Sequence, residues 1–83
     1  MKKILLVEDD TRVCSFIYKG LSENGFDVTV AMDGSIGLSL ALDSQFDLLI
    51  LDIMLPTING LELCRQVRIQ DEAVPILFLT AMG

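Results

Sequence analysis

The sequence contains no histidine and no tryptophan, and among its 83 residues only two are cysteines and two are prolines. The cysteines, Cys14 and Cys64, are far apart and in no metal-ligand spacing. Because a zinc site that uses histidine needs that residue, such a site is excluded. Two widely separated cysteines are predicted to be free thiols in a reducing cytoplasm rather than a disulfide.

Basic residues and long apolar runs are also scarce. Six lysines and arginines face twelve acids, so the net charge of -6 argues against direct nucleic-acid binding by this chain. The longest apolar runs are about five to seven residues, far below the roughly 20 that a membrane span requires. A hydrophobic content of 52% in turn excludes a disordered chain. We therefore expect one small folded domain in the cytoplasm, with no membrane contact.

Four short apolar runs alternate along the chain with segments of helical periodicity. Such runs are typical of strands that are buried on both faces of a parallel sheet. The predicted strands are residues 4–7, 26–31, 48–51 and 76–79. The first predicted helix is capped at residue 10 or 11 and ended by residues 24 and 25. A turn at 33–34 precedes the second predicted helix, over 36–42, and the third covers 61–70. This alternation predicts the α/β class, with a parallel sheet covered by helices on both faces.

Acidic and hydroxyl side chains follow these predicted strands. Glu8 and Asp9 follow the first strand, Asp52 the third and Thr80 the fourth. Functional clefts of open parallel sheets lie at the carboxyl ends of the strands, so the acids are expected to share one pocket. Carboxylates held together need a cation, and oxygen ligands are what Mg²⁺ prefers. An aspartate in such a pocket is also a candidate nucleophile for a phosphoryl group.

Plainer interpretations compete with this one. An acid after a strand often caps the next helix, which is the favoured interpretation for Asp10. For Glu8 and Asp9 taken alone, a solvated or capping role and a functional role weigh about equally. Thr80 taken alone is best explained as an ordinary strand-end hydroxyl, whereas the isolated position of Asp52 favours a function.

Four segments follow one another in a recognisable order: residues 4–10 (ILLVEDD), 47–56 (DLLILDIMLP), 59–60 (NG) and 75–81 (PILFLTA). Together they resemble the receiver domain of bacterial two-component response regulators, across essentially the whole chain. The resemblance implies a flavodoxin-like parallel sheet. It also implies a role as a phosphorylated signalling protein and not as a turnover enzyme.

The resemblance assigns roles to individual positions. Asp52 is similar to the phospho-acceptor, which takes its phosphoryl group from a sensor histidine kinase or a small acyl phosphate. Asp9, Asp52 and the backbone carbonyl of Met54 would bind Mg²⁺ directly, and Glu8 would bind it through water. Thr80 is similar to the switch hydroxyl that hydrogen-bonds the phosphoryl oxygen.

The resemblance also predicts what the chain lacks. The family fold has a fifth strand and two further helices, whereas this sequence stops after its fourth predicted strand. We therefore expect a receiver domain over residues 1–83 that is incomplete at its carboxyl end, with strand order 2-1-3-4. The family's lysine on strand five, which pairs with the acceptor carboxylate, is among the missing residues. Weak Mg²⁺ binding and slow or absent phosphorylation are the expected consequences.

Two functions stay open on these grounds. One is a phosphorylated receiver that regulates transcription through an output domain absent here. The alternative is a phosphorylation-deficient receiver that acts as an interaction or dimerisation module, self-associating through the fourth-strand edge at 76–79 and exposing Phe16. An aspartyl phosphatase is disfavoured because Ile53 and Met54, rather than a second acid, follow Asp52. A nucleotide-binding module is disfavoured because no glycine-rich loop follows the first strand.

Overall fold

A computed structural model of the chain describes residues 1–79, and the predicted Thr80 site residue lies outside them. Seven elements alternate along the described chain. They are β1 (Lys3–Val7), α1 (Thr11–Glu23), β2 (Asp27–Ala31), α2 (Gly34–Asp43), β3 (Leu48–Asp52), α3 (Gly60–Gln70) and β4 (Ile76–Leu79). The four strands form one parallel sheet in the order β2-β1-β3-β4, which confirms the predicted α/β fold and strand order.

The two central strands, β1 and β3, are the most apolar and the most deeply buried. Leu5, Leu6 and Leu51 are completely buried. Ile4 pairs with both Val28 on one side and Leu48 on the other, so β1 has a hydrogen-bonded neighbour along each edge. Because successive side chains of a strand point to opposite faces, a run without polar residues requires cover on both faces.

Helices supply that cover from both sides. On one face, α2 and α3 cover a core that contains the odd-numbered strand residues Leu5, Leu49 and Leu51 and the helix residues Leu63 and Val67. On the other face, α1 covers a second core of even-numbered strand residues and Cys14. The members of that core are Ile4, Leu6, Cys14, Val28 and Ile50. Cys14 and Cys64 contact different cores and are free thiols, as predicted.

Each helix is preceded by a residue whose side chain accepts hydrogen bonds from backbone N–H groups of the first turn. Asp10 caps α1, Asp33 caps α2 and Asn59 caps α3. The interpretation of Asp10 as a cap is therefore confirmed. The prediction for α2 was too short, because Asp33 and Gly34 form its cap and first residue rather than a separate turn. An aspartate followed by glycine fits either role, and here the tertiary contacts of Gly34 decide between them.

The sheet has an apolar edge at β4. Leu77 in this strand is 53% exposed, and Phe16 on the outer side of α1 is 81% exposed, as the sequence predicted. At the other edge, β2 begins at Asp27, one residue later than expected. Among residues 1–79, none of the helices has the length and apolar character needed to cross a bilayer.

Candidate functional site

Glu8 and Asp52 come together because they end neighbouring parallel strands. Val7 of β1 pairs with Leu51 of β3. Glu8 directly follows Val7 and Asp52 directly follows Leu51. Both are almost fully buried, with exposures of 5% for Glu8 and 6% for Asp52. The sheet register therefore places two carboxylates side by side at the carboxyl edge, as predicted from the strand ends.

Asp9 completes a cluster of three carboxylates. Oxygen atoms of Glu8, Asp9 and Asp52 all lie within 4.8 Å of one another, and Asp9 is the exposed member. The Asp10 N–H donates to Oε2 of Glu8 at 3.0 Å, which holds that side chain against the start of α1. The cluster thus has two buried members and one member open to solvent.

The electrostatics of this cluster are unfavourable in the absence of a cation. Burial raises the pKa of Glu8, and the charge of Asp52 raises that pKa further, against the lowering by the Asp10 amide. A raised carboxyl pKa means that the surroundings oppose the charged form. A divalent cation would reverse this, and carboxylate oxygens are the ligands that Mg²⁺ prefers. The three carboxylates therefore fit Mg²⁺ in donor type and in spacing.

The loop from β3 to α3, residues 53–59, passes beside the cluster. The Met54 N–H makes a long hydrogen bond of 3.4 Å to Oδ1 of Asp52, whereas the Met54 side chain is 71% exposed. The backbone of Met54, rather than its side chain, is therefore what the loop holds near the acids. Gly60 closes the loop by donating its N–H to the Ile53 carbonyl at 2.8 Å.

The carboxylates line an open cleft of about 710 Å³ at the carboxyl edge of the sheet. Its lining residues are Glu8, Asp9, Asp10, Val13, Asp52, Met54, Phe78 and Leu79. Four of the five predicted site residues, all except Thr80, are thus brought together at one cleft. The apolar wall from β4 was not anticipated, although the position of Phe78 and Leu79 at the end of the neighbouring strand could have indicated it.

Two further residues, Asp33 at the start of α2 and Thr57 in the loop after β3, were not assigned any site role from the sequence. Thr57 has a positive φ of 68°, and its hydroxyl donates to Oδ1 of Asp33 at 2.9 Å. Thr57 lies between the predicted third strand and the predicted third helix, but a threonine in a left-handed conformation carries no sequence signal of its own.

The family model of the response regulator receiver domain matches residues 4–83. The chain belongs to this family. Among its curated relatives, response regulator ArlR of Staphylococcus saprophyticus is 48% identical over 81 residues, and transcriptional regulatory protein CusR of Escherichia coli K12 is 46% identical over 81. Each alignment covers 98% of this chain but 36% of the relative, so this chain spans about a third of the length of these relatives.

A solved structure shares both the fold and the sequence pattern. Response regulator TrrA of Thermotoga maritima, in complex with Mg²⁺-BeF, superposes with a TM-score of 0.94 at 34% identity, covering 100% of this chain and 72% of TrrA. TrrA has also been solved in complex with the histidine kinase ThkA. The receiver domain described here is therefore a member of the two-component response regulator family in sequence and in fold.

Proposed function

We propose that the receiver domain accepts a phosphoryl group on Asp52 from a sensor histidine kinase, in a reaction that requires Mg²⁺. The observation that carries this proposal is the cluster of three carboxylates within 4.8 Å at the end of β1 and β3. The complexes of TrrA with Mg²⁺-BeF and with ThkA support the choice of cation and partner class.

The proposed Mg²⁺ ligands are Asp9, Asp52 and the Met54 backbone carbonyl, with Glu8 bound through a water molecule. This set is entirely oxygen and leaves room for waters, as Mg²⁺ requires. When bound, the cation neutralises negative charge on the transferring phosphoryl oxygens. The low exposure of Asp52 and Glu8 would strengthen the attraction of their carboxylates to the cation, because little water screens it.

Asp52 is the proposed nucleophile. One of its carboxylate oxygens forms the new P–O bond while the P–N bond of the kinase phosphohistidine breaks, and the electron pair of that bond stays with the imidazole nitrogen, which takes up a proton from solvent water. The product is an aspartyl phosphate on this chain and an unmodified histidine on the kinase. Thr80, which lies outside the described residues, is the proposed switch hydroxyl that hydrogen-bonds the phosphoryl group.

The proposed output of this phosphorylation is transcriptional. CusR is a transcriptional regulatory protein, and about two thirds of its length lies outside the part matched by this chain. We assign DNA contact to such further segments and none to this acidic domain, because its net charge of -6 opposes binding to phosphates. The cytoplasm is the proposed location, by analogy with the family.

Incubation with a small phosphodonor tests the proposal directly. With Mg²⁺ and acetyl phosphate, the intact mass of the protein is expected to rise slowly by one phosphoryl group. A chelator should prevent the gain, because the cluster then lacks its cation. Inorganic phosphate in place of acetyl phosphate is the matched control and should give no adduct. No adduct with acetyl phosphate or with a phosphorylated histidine kinase would contradict the proposal.

A second candidate function, self-association through β4, is supported by the exposure of that strand. Leu77 is 53% exposed at the edge of the sheet, and β3 is the neighbour with which β4 pairs. An apolar edge strand offers unpaired backbone groups to another strand. We propose that a second copy of this chain pairs with it, which would make the domain an interaction module.

Leu77→Lys is expected to abolish this self-association, because a charged side chain on an edge strand opposes pairing. Sedimentation velocity should show a dimer for the unmodified chain and a monomer for the variant. Ile69→Lys is the matched control, since Ile69 is also apolar and exposed, at 71%, but lies on α3. A monomeric unmodified chain, or a dimer that survives Leu77→Lys, would contradict the use of this edge.

A further inference from the structure

The loop after the proposed phospho-acceptor contains a strained turn centred on Thr57. The φ angle of Thr57 is 68°, and the Ile58 N–H donates to the Pro56 carbonyl at 2.9 Å. A hydrogen bond from residue i+2 back to residue i around a positive φ has the pattern of the strained form of γ-turn. Residues branched at Cβ rarely adopt this conformation, so surrounding contacts must hold it.

Those contacts come from the amino end of α2. The Thr57 hydroxyl donates to Oδ1 of Asp33 at 2.9 Å and accepts from the Ser35 N–H at 3.0 Å. The Gly34 N–H donates to the Pro56 carbonyl at 3.1 Å. Hydrogen bonds to the Asp33 carboxylate from the Ile36 N–H, the Thr57 hydroxyl and the Ser35 N–H lower the pKa of Asp33. We refer to the Asp33–Thr57 hydrogen bond as the loop clamp.

Close backbone packing shows that α2 and the loop fit each other tightly. A Cβ atom on Gly34 would lie 1.8 Å from the Ile58 carbonyl oxygen, so a side chain at this position would push the loop away. At the other end, the Gly60 N–H bonds to the Ile53 carbonyl. The backbone of Met54 is thus held between one fixed end at Ile53 and the strained turn that begins at Pro56.

We propose that Thr57 and Asp33 are positioning residues for the Mg²⁺ site, because the loop clamp fixes the turn that presents the Met54 carbonyl. This inference rests on the proposed function, in which that carbonyl is a ligand. Neither Thr57 nor Asp33 is a proposed ligand. The clamp would act by restricting the conformation of the loop that carries the Met54 carbonyl.

Thr57→Val tests this inference, because valine keeps the shape and the branched Cβ but removes the hydroxyl. We expect the Mg²⁺ dissociation constant, measured by calorimetry, to rise by about tenfold, the lower end of the loss typical when an outer-shell partner is removed. The Ca²⁺ dissociation constant should change less than about twofold, because Ca²⁺ tolerates irregular geometry whereas Mg²⁺ demands near-octahedral ligands. A residue that contributes only to stability would leave this ratio unchanged in the folded protein.

Conservative variants separate the hydroxyl from other effects. Thr57→Ser keeps the donor and should restore Mg²⁺ affinity to within about twofold of the unmodified protein. Thr29→Val, on β2, is the matched loss of a threonine hydroxyl away from the loop and should leave both dissociation constants unchanged.

A second pair of variants tests the other partner and remains informative if Thr57→Val does not fold. Asp33→Ala and Asp33→Asn both remove one negative charge, but the asparagine oxygen still accepts from Thr57 and still caps α2. Asp33→Ala should therefore weaken Mg²⁺ binding and Asp33→Asn should not. If both variants lose Mg²⁺ affinity equally, the loss is due to the removed charge and the inference is overturned.

The possible failures are distinguishable. If the unmodified protein binds Mg²⁺ and the folded Thr57→Val protein binds it equally well, the positioning role is wrong and the proposed function stands. If the unmodified protein binds no Mg²⁺, the proposed function fails and the positioning role fails with it. Circular dichroism of each variant at the calorimetry temperature establishes that the folded state is being measured.

Discussion

Asp52→Asn is expected to abolish phosphoryl uptake while raising the melting temperature of the metal-free protein. Asp52 is 6% exposed, and burial together with the Asp52 charge raises the pKa of the adjacent Glu8. Neighbouring buried carboxylates destabilise the folded state, because the unfolded chain solvates their charges better. The amide removes one charge from the cluster, and it also removes the nucleophilic carboxylate.

The stability gain should be about 1 kcal/mol, which for a domain of this size corresponds to roughly 4–8 °C in melting temperature. Its pH dependence follows from Glu8, whose folded pKa lies above the ordinary value of 4.5. At a pH above 4.5, Glu8 has released its proton in the unfolded chain but still binds it in the folded protein. The unmodified protein therefore loses stability as the pH rises through the raised pKa. The stability of Asp52→Asn relative to the unmodified protein should therefore increase over the same pH range.

Magnesium should reverse the order of stability. A ligand at 100 times its dissociation constant stabilises the folded state by about 2.7 kcal/mol, and the unmodified protein should gain this while Asp52→Asn gains much less. Thermal unfolding by circular dichroism at about pH 4 and about pH 7.5, with and without Mg²⁺, measures all these effects. Asp43→Asn, at the exposed end of α2, is the matched control and should change neither property. Lost uptake together with a lowered melting temperature would instead indicate misfolding.

The sheet could be predicted from the sequence because its strands are buried on both faces. Runs such as residues 48–51 contain no polar residue and are too short for a membrane span, so this pattern is best explained by the interior of a parallel sheet. Strand order was predicted from the family resemblance rather than from the runs themselves, since periodicity does not tell which strands are neighbours. The structure confirms that order.

The carboxylate cluster was predictable for a topological reason. Parallel strands all end at the same edge, so acids that directly follow two neighbouring strands must approach each other. Glu8 and Asp52 illustrate this, since each is the residue next to a paired Val7 and Leu51. What the sequence could not show is that both acids are almost fully buried, because burial depends on how the following helix and loop pack over them.

The geometry of the loop after Asp52 was beyond sequence reasoning. The positive φ of Thr57 and the start of α2 at Gly34 both depend on one tertiary contact, which joins segments more than 20 residues apart. Local propensity disfavours a threonine in this conformation, and an Asp-Gly pair indicates a turn as readily as a helix cap. Only the packed structure shows that each segment determines the conformation of the other.

Gly60→Ala is expected to destabilise the protein by about 3 kcal/mol, because the residue has no space for a side chain. A Cβ atom at this position would lie 2.1 Å from the carbonyl oxygen of Asp52, and the contact is with backbone that cannot rotate away. The first turn of α3 cannot yield readily either, since Asn59 caps it by accepting from the Glu62 N–H at 2.9 Å. Either α3 or the end of β3 must therefore shift.

The shift should also weaken Mg²⁺ binding, because the backbone that moves carries the Asp52 carboxylate. Urea unfolding and calorimetry with Mg²⁺ measure the two effects separately. Gly20→Ala is the matched control, since nothing lies within 4 Å of a Cβ at that position in α1. That control should gain about 0.5–1 kcal/mol from its better helix propensity. A Gly60→Ala protein with unchanged stability and Mg²⁺ affinity would contradict a site built on the contact between α3 and the end of β3.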